Sequence, residues 1–347
     1  MIPIQNIYYM LSYAFQVLNE QGYKNIATEQ FNNTGELMAA ILEKGIAIQL
    51  KRGLGKEYIL QTEALSSLRG KIDIAESIKT QSMLRKQLIC TYDEFSVNSI
   101  MNRIIKSTVE LLLRSNISKQ RKKNLRKLMV YFSEVDFIDL YTVNWNVQYN
   151  RNNQTYRMLI SICYLVVKGL LQTQSNGHTE LMDFLDEQRM CRLYEKFILE
   201  YYRKEFKNQF TANASQIPWQ LDNEENSMLP VMQSDIMLQS GEKVLIIDAK
   251  YYEHSTQVQF DKHTLHSGNL YQIFTYVKNK EYELREKNHT VSGMLLYAKT
   301  DEEIYPNNVY QMSGNQITVR TLDLNLPFSE IAEQLNMIVM SHFDLSR

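Results

Sequence analysis

Apolar residues recur at helical spacing over much of the chain and alternate with polar ones elsewhere. Ile7, Met10, Leu11, Ala14, Val17 and Leu18 form one stripe, which predicts a helix over residues 5–20. A second helix is expected over 34–50, capped by Thr34 and turning Leu37, Ile41 and Ile46 inward. The β-prone residues from Glu57 to Thr62 predict a strand, and Leu68-Arg69-Gly70-Lys71-Ile72-Asp73 reads as a turn feeding another element. A strand over 86–95 and a helix over 98–114 follow, the helix burying Ile100, Ile104, Ile105, Val109 and Leu112. Further helices are expected over 154–172 and 179–208. Between them Gln174-Ser175-Asn176-Gly177-His178 interrupts the periodicity and marks the expected boundary between a domain of 1–175 and one of 180–347.

After Phe210 the pattern shortens. Residues 228–238 and 243–247 are β-like runs, separated by the hairpin signal Gln239-Ser240-Gly241-Glu242. A helix over 268–280, a strand over 291–298 and a last helix over 329–340 complete the second half. The fold class expected is α/β, with an α+β N-terminal domain ahead of a compact α/β domain.

Composition narrows the class. With 347 residues the chain suits about two domains, and 44% hydrophobic with 22% charged residues is ordinary for a soluble globular protein. Only 12 glycines and 5 prolines argue against long disordered linkers. Three cysteines, Cys90, Cys163 and Cys191, lie far apart without zinc or disulfide spacing, which points to a reducing cytoplasm. The opening residues lack a signal-peptide pattern, and the most apolar stretch, Met158 to Val167, is too short for a bilayer and reads as a buried helix.

Net charge is −1. A protein that grips DNA alone usually carries a basic excess, so a DNA-acting chain of this charge needs a partner or a local basic patch. The densest basic run is Lys119, Arg121, Lys122, Lys123, Arg126 and Lys127. It fits either a solvated helix face or a phosphate-contacting patch. The 22 tyrosines likewise fit core-edge positions or base stacking.

Chemistry concentrates in Ser234-Asp235-Ile236 and Val244-Leu245-Ile246-Ile247-Asp248-Ala249-Lys250. Strand alternation sends Asp248 and Lys250 to one face and Ala249 to the other. Pairing through the hairpin brings Asp235 toward Asp248. Two carboxylates beside an apolar hairpin are costly unless a cation compensates, and Mg2+ prefers such hard oxygen ligands. Phosphodiester hydrolysis uses this set, with Lys250 stabilising developing charge and the Ala249 carbonyl as a further metal ligand. Glu195, on a predicted helix with apolar neighbours, is a third candidate acid. The rival reading of Asp-x-Lys is a surface salt bridge. Gln272 lies amid apolar residues on the helix after the strand, and needs a partner that either the site or the backbone could supply. His254, His263 and His266 show no zinc spacing and read as loop residues. Arg52-Gly53-Leu54-Gly55-Lys56 lacks P-loop spacing, so nucleotide hydrolysis by this chain is not expected.

The Asp235…Asp248-Ala249-Lys250 arrangement resembles the PD-(D/E)xK nuclease signature, and its surroundings resemble the McrC family, the nuclease subunit of McrBC-type (type IV) modification-dependent restriction systems. The likeness runs through Ile4 to Ala14, through Leu68-Arg69-Gly70-Lys71-Ile72-Asp73-Ile74, through Asn98 to Lys106, and through Asp248 to Tyr252 and Tyr271 to Tyr276. One departure is Ser234, where the family has proline before the aspartate.

That resemblance implies a restriction-endonuclease-like α/β domain over 180–347 with Mg2+ as cofactor and Mn2+ as a substitute. It implies a McrB-like AAA+ GTPase hexamer as partner, which binds GTP and reads modified cytosine in double-stranded DNA. Residues 1–175 would contact that ring, with Arg69 and Lys71 as candidates for stimulating GTP hydrolysis. Two other readings stay open: a GTPase-activating subunit with a degenerate nuclease site, and a PD-(D/E)xK nuclease of another repair or defence system. No membrane role is expected.

Overall fold

The computed structural model describes residues 2–345 apart from 16–17, 19–22, 24–25, 27–28, 30, 32, 151–152, 175–186, 223–227, 253–256, 260–261 and 300–304. Two compact units emerge: Met1–Gln30 with Phe184–Arg347, and Phe31–Asp183. The expected linker at 174–178 lies almost wholly outside the described residues. The first 30 residues therefore pack with the C-terminal part of the chain and not with the domain of 1–175 expected for them. The reason is visible in α1 (Ile4–Ala14): the Asn6 amide donates to the carbonyls of Leu324 and Leu326, and Tyr9 stacks on Phe328 at 4.5 Å. This helix stops at Ala14, short of the expected 20, yet Leu18 is still buried. Apolar spacing reported burial there, and the backbone had already left the helix.

In the unit Phe31–Asp183, α2 (Thr34–Arg52) is capped by Asn33, whose side chain accepts from the Glu36 N–H at 2.8 Å. The cap thus sits one residue before the expected Thr34. β1 (Glu57–Leu65), β2 (Lys71–Asp73), α3 (Ile74–Lys79) and β3 (Leu88–Ser96) follow, the strands forming an antiparallel sheet in the order β1-β3-β2. The expected turn at 68–73 thus ends in a strand. Gly70 enters it with φ +65°, where a Cβ would lie 2.4 Å from the Thr91 carbonyl oxygen.

Among the described residues, three α-helices follow in this unit: α4 (Ile100–Arg114), α5 (Lys119–Met129) and α6 (Tyr156–Gln174). Ile100, expected inside, is exposed, whereas Ile104, Ile105, Val109 and Leu112 are buried as their spacing demands. The apolar stretch from Met158 to Val167 lies within α6, and no described helix is long and apolar enough to cross a membrane. A buried junction ties α4 and α6 to the turn after α2. The Asn102 amide donates to the carbonyls of Gly55 and Val97 at 2.9 and 2.8 Å, while its oxygen accepts from the Tyr156 hydroxyl at 2.7 Å. That hydroxyl accepts in turn from the Gly55 N–H.

The other unit continues with α7 (Glu187–Glu205), then β4 (Thr211–Asn213), β5 (Gln216–Ile217), β6 (Met232–Gln233), β7 (Ile236–Ser240), β8 (Lys243–Lys250), β9 (Gln257–Gln259) and β10 (Lys262–Thr264). After these come α8 (Ser267–Glu283), β11 (Thr290–Ala298), β12 (Asn308–Met312), β13 (Asn315–Leu322) and α9 (Phe328–Phe343). The main sheet runs β12-β13-β11-β8-β7-β4, with β8, β11 and β13 parallel. Helix α8 crosses from β8 to β11 and buries Ile273 and Val277 against Val244, Ile246, Val291, Leu295, Ile317 and Val319. Gly293 allows that approach, because a Cβ there would meet Ile273 and Val277 at 2.8 Å. The alternating residues Leu245, Ile247 and Leu296 are also buried, so the sheet is covered on both faces. Helix α7 packs on β7 and β8, and its Tyr202 hydroxyl donates to the Leu335 carbonyl of α9.

The expected β run over 228–238 is broken. Met228 and Val231 are exposed, β6 ends at Gln233, and β7 starts at Ile236. Strands β12 and β13 were not anticipated from the sequence.

Candidate active site

The hairpin sets the site. β7 and β8 are joined by the two residues Gly241 and Glu242, with Ser240 opposite Lys243 and Ile236 opposite Ile247. Gly241 takes φ +56°, the left-handed conformation such a turn needs. Continuing that register places Asp235 across from Asp248, at the break between β6 and β7. The Asp235 carboxylate accepts from the Ala249 N–H at 2.9 Å, which fixes it against β8. Ser234 holds the break. Its N–H and hydroxyl both donate to the Ser215 carbonyl, at 3.0 and 3.1 Å, and its hydroxyl accepts from the Ser215 N–H at 3.4 Å. A proline there would have no N–H to give.

Asp248 is 1% exposed. The Lys250 ammonium lies 2.8 Å from its Oδ2 as an ion pair, but neither Asp248 oxygen receives a well-aligned hydrogen bond from a described residue. Lys250 also donates to Gln272 Oε1 at 3.4 Å, and the Gln272 amide donates to the Tyr276 hydroxyl at 2.8 Å. Gln272 thus bonds to side chains of the site and of its own helix rather than to backbone. On α7, the Cys191 thiol donates to Glu195 Oε1 at 3.1 Å and lies 4.0 Å from the Ala249 carbonyl oxygen.

The electrostatics agree with the geometry. Burial, then the nearby Asp248 and Glu195, push Asp235 well above the usual carboxylate range. Burial raises Glu195 too, against the lowering effect of the Cys191 thiol and Lys250. Burial alone would lower Lys250, but the Asp248 carboxylate outweighs it and holds the ammonium charged. Burial and Glu195 push the Cys191 thiol up to about 12.

Among the described residues no three acidic, histidine or cysteine side chains converge as a finished ligand set. The donors present are the Asp235 and Asp248 carboxylates, the Ala249 carbonyl and the neighbouring Glu195. The poorly solvated Asp248 oxygens fit a hard divalent cation, which needs few protein ligands and keeps several waters. Of the histidines, His254 lies outside the described residues. His263 belongs to β10 and not to a loop, while His266 precedes α8 with its ring 5.4 Å from that of Tyr252. Arg69 and Lys71 are exposed in the other unit, Arg69 lying over the Tyr92 ring at 4.6 Å.

Sequence reasoning missed Cys191 and Tyr276, although both stand four residues from a candidate on the same helix, before Glu195 and after Gln272. It also missed Asn269, which donates to the Tyr297 hydroxyl at 2.9 Å and accepts from Tyr252, propping the strand ends beside Lys250.

Residues 5–298 match the family described as McrBC 5-methylcytosine restriction system component. The chain is 29% identical over 341 residues to the type IV methyl-directed restriction enzyme EcoKMcrBC of Escherichia coli (strain K12), covering 96% of each. Two solved assemblies are structurally similar. One is a half-complex from a tetradecameric assembly of Thermococcus gammatolerans McrB AAA+ hexamers with bound McrC (19% identity, 97% of this chain and 76% of that one, TM-score 0.48). The other is the Thermococcus gammatolerans McrBC complex (23% identity, 59% of each, TM-score 0.42). With most of its length matched, this chain belongs to the McrBC 5-methylcytosine restriction system component family.

Proposed function

We propose that this chain is the nuclease subunit of its restriction system, hydrolysing DNA phosphodiesters with Mg2+ when assembled with a AAA+ GTPase ring. One observation carries the reading: Asp248 is a fully buried carboxylate, short of hydrogen bonds among the described residues, set opposite a second, half-buried acid, Asp235. Such a pair persists in a folded protein when a cation is its intended partner. Asp235, Asp248 and the Ala249 carbonyl would hold Mg2+ or Mn2+, with Glu195 completing the oxygen set. Bound there, the ion supplies Lewis-acid polarisation of the scissile phosphate. Lys250 places a fixed positive charge where negative charge develops, and Gln272, itself gripped by Tyr276, keeps the ammonium aimed.

The partner follows from the family and from the unit Phe31–Asp183. A restriction system component implies other components, and the P-loop spacing a GTPase needs does not occur in this chain. The small sheet leaves Tyr58 and Phe95 exposed as a cross-strand pair, with Leu60 exposed beside them, an apolar surface of the kind that partners cover. We assign ring contact to this unit, and recognition of modified cytosine and GTP binding to the partner.

The test is cleavage of methylated plasmid with Mg2+, GTP and the ring partner, comparing wild type with Asp248→Ala and Lys250→Ala. Loss of cutting with GTPase stimulation retained supports the assignment. Cutting by the variants means the chemistry lies elsewhere. A wild type that stimulates GTP hydrolysis yet never cuts is a regulatory subunit.

A further inference from the structure

Helix α5 carries charge that neither its packing nor the active site uses. Its inner side is fastened to α2 by acids: Arg121 pairs with Glu43 at 2.9 Å and Glu36 at 3.5 Å, Asn124 donates to Glu43, and Ser118 donates twice to Glu36. Leu125 is fully buried beneath. At 3.6 residues per turn, Lys119, Lys122, Lys123, Arg126 and Lys127 all fall on the opposite side, within an arc of about 140°. None of the five pairs with a carboxylate among the described residues. No Asp or Glu occurs anywhere from Leu111 to Ser133, in a chain whose net charge is −1.

We infer that this face of α5 is a docking surface for the phosphate backbone of duplex DNA. Five like charges on one helix face repel one another and make α5 less stable alone, so the arrangement calls for a polyanion. The stripe spans about 12 Å of helix axis, against one duplex phosphate per roughly 1.7 Å, which puts several phosphates within reach. A protein partner fits poorly, because protein interfaces centre on apolar and aromatic residues and are depleted in lysine. Because Arg121 and Asn124 hold the inner side rigid, the cations present a fixed row rather than a flexible tail. The surface lies in the unit Phe31–Asp183, which contains none of Asp235, Asp248 and Lys250, so it goes beyond the cleavage reading.

The experiment measures binding without cleavage. The full chain carrying Asp248→Ala is titrated onto a labelled, unmodified DNA duplex over a series of KCl concentrations. Lys123→Ala/Arg126→Ala/Lys127→Ala is compared with a control triple, Lys51→Ala/Lys207→Ala/Lys287→Ala, each checked for an unchanged melting transition. The α5 variant is expected to bind more weakly at low salt, with the slope of log K against log salt shallower by about 3, nearly one for each phosphate left without its cation. The control is expected to keep the parent slope. An α5 slope equal to the parent's overturns the proposal, as does an equal loss in the control, which would mean diffuse charge attraction. An α5 variant that loses only affinity for the ring partner also overturns it, in favour of an acidic protein surface. Failure of the nuclease assignment leaves this readout untouched, because the titration is run in EDTA without GTP or the ring partner and reads binding alone.

Discussion

Asn102 and Asp248 are both buried polar residues, and each sits where chain segments distant in sequence converge. Asn102 has both amide N–H groups and its oxygen engaged: two carbonyls accept from its amide and the Tyr156 hydroxyl donates to its oxygen. Asp248 has one ammonium beside it and no well-aligned donor among the described residues, with a second, half-buried acid opposite. The first junction is complete as it stands and serves as an internal brace. The second leaves carboxylate oxygens short of donors among the described residues, which is the opening that the proposed metal would fill. Burial of a polar group therefore does not by itself separate architecture from chemistry; the state of its partners does.

The contrast can be broken most strongly at the incomplete site. Asp248→Ala and Lys250→Ala should each lower cleavage by roughly 10²–10³-fold or more, on the scale of removing a preorganised charge from a transition state. Quenched plasmid-cleavage assays with the partner present would measure it. The complete junction should respond in stability instead. Asn102→Ala strands the carbonyls of Gly55 and Val97 and the Tyr156 hydroxyl, costing about 3 kcal/mol in urea unfolding at roughly 1–3 kcal/mol per stranded group. A loss below about 0.5 kcal/mol would mean that water replaces the asparagine.

A third prediction concerns pH. Asp235 has a folded-state pKa raised by burial and by Asp248. The folded state then holds its proton more tightly than the unfolded chain. Its contribution is most favourable below the ordinary carboxylate pKa of 3.8 and is lost as pH rises through the raised folded value. Metal-free protein should therefore lose stability from acid toward neutral pH, and Asp235→Asn should flatten that fall while abolishing any stabilisation by Mg2+. Thermal melts with and without EDTA across pH would show a slope unchanged by the substitution if Asp235 is not the cause. The smallest effect is expected at Ser234→Ala, about 1 kcal/mol from the lost hydroxyl bonds to Ser215, with cleavage largely retained. Abolished cutting at an unchanged melting temperature would move Ser234 into the chemistry.

Much of the site was legible because strand alternation is a rigid rule. Once Val244 to Lys250 is a strand, Asp248 and Lys250 must share a face, and the short gap at Gly241 brings Asp235 opposite. What stayed hidden was non-local or weakly patterned. Asn102 reaches Gly55 and Tyr156 across 47 and 54 residues, a relation no spacing reveals. Strand β12 is short and lies at the sheet edge, where only Tyr310 and Met312 are half-buried, so its apolar signal is weak. The exposed Met228 and Val231 mimic a strand by composition alone. Ser234, the departure from the family's proline, becomes intelligible once its three bonds to Ser215 are seen.

The two-residue turn at Gly241 and Glu242 has a consequence for how such a chain can diverge. A single-residue insertion or deletion within β8 before Asp248 would turn both the aspartate and the lysine to the opposite face of the sheet, away from Gln272. Length change within this short stretch therefore breaks the shared face, a register constraint that segments outside the hairpin do not carry. If the paired carboxylates carry the chemistry, the residue count of this hairpin is what lineages of the chain must keep.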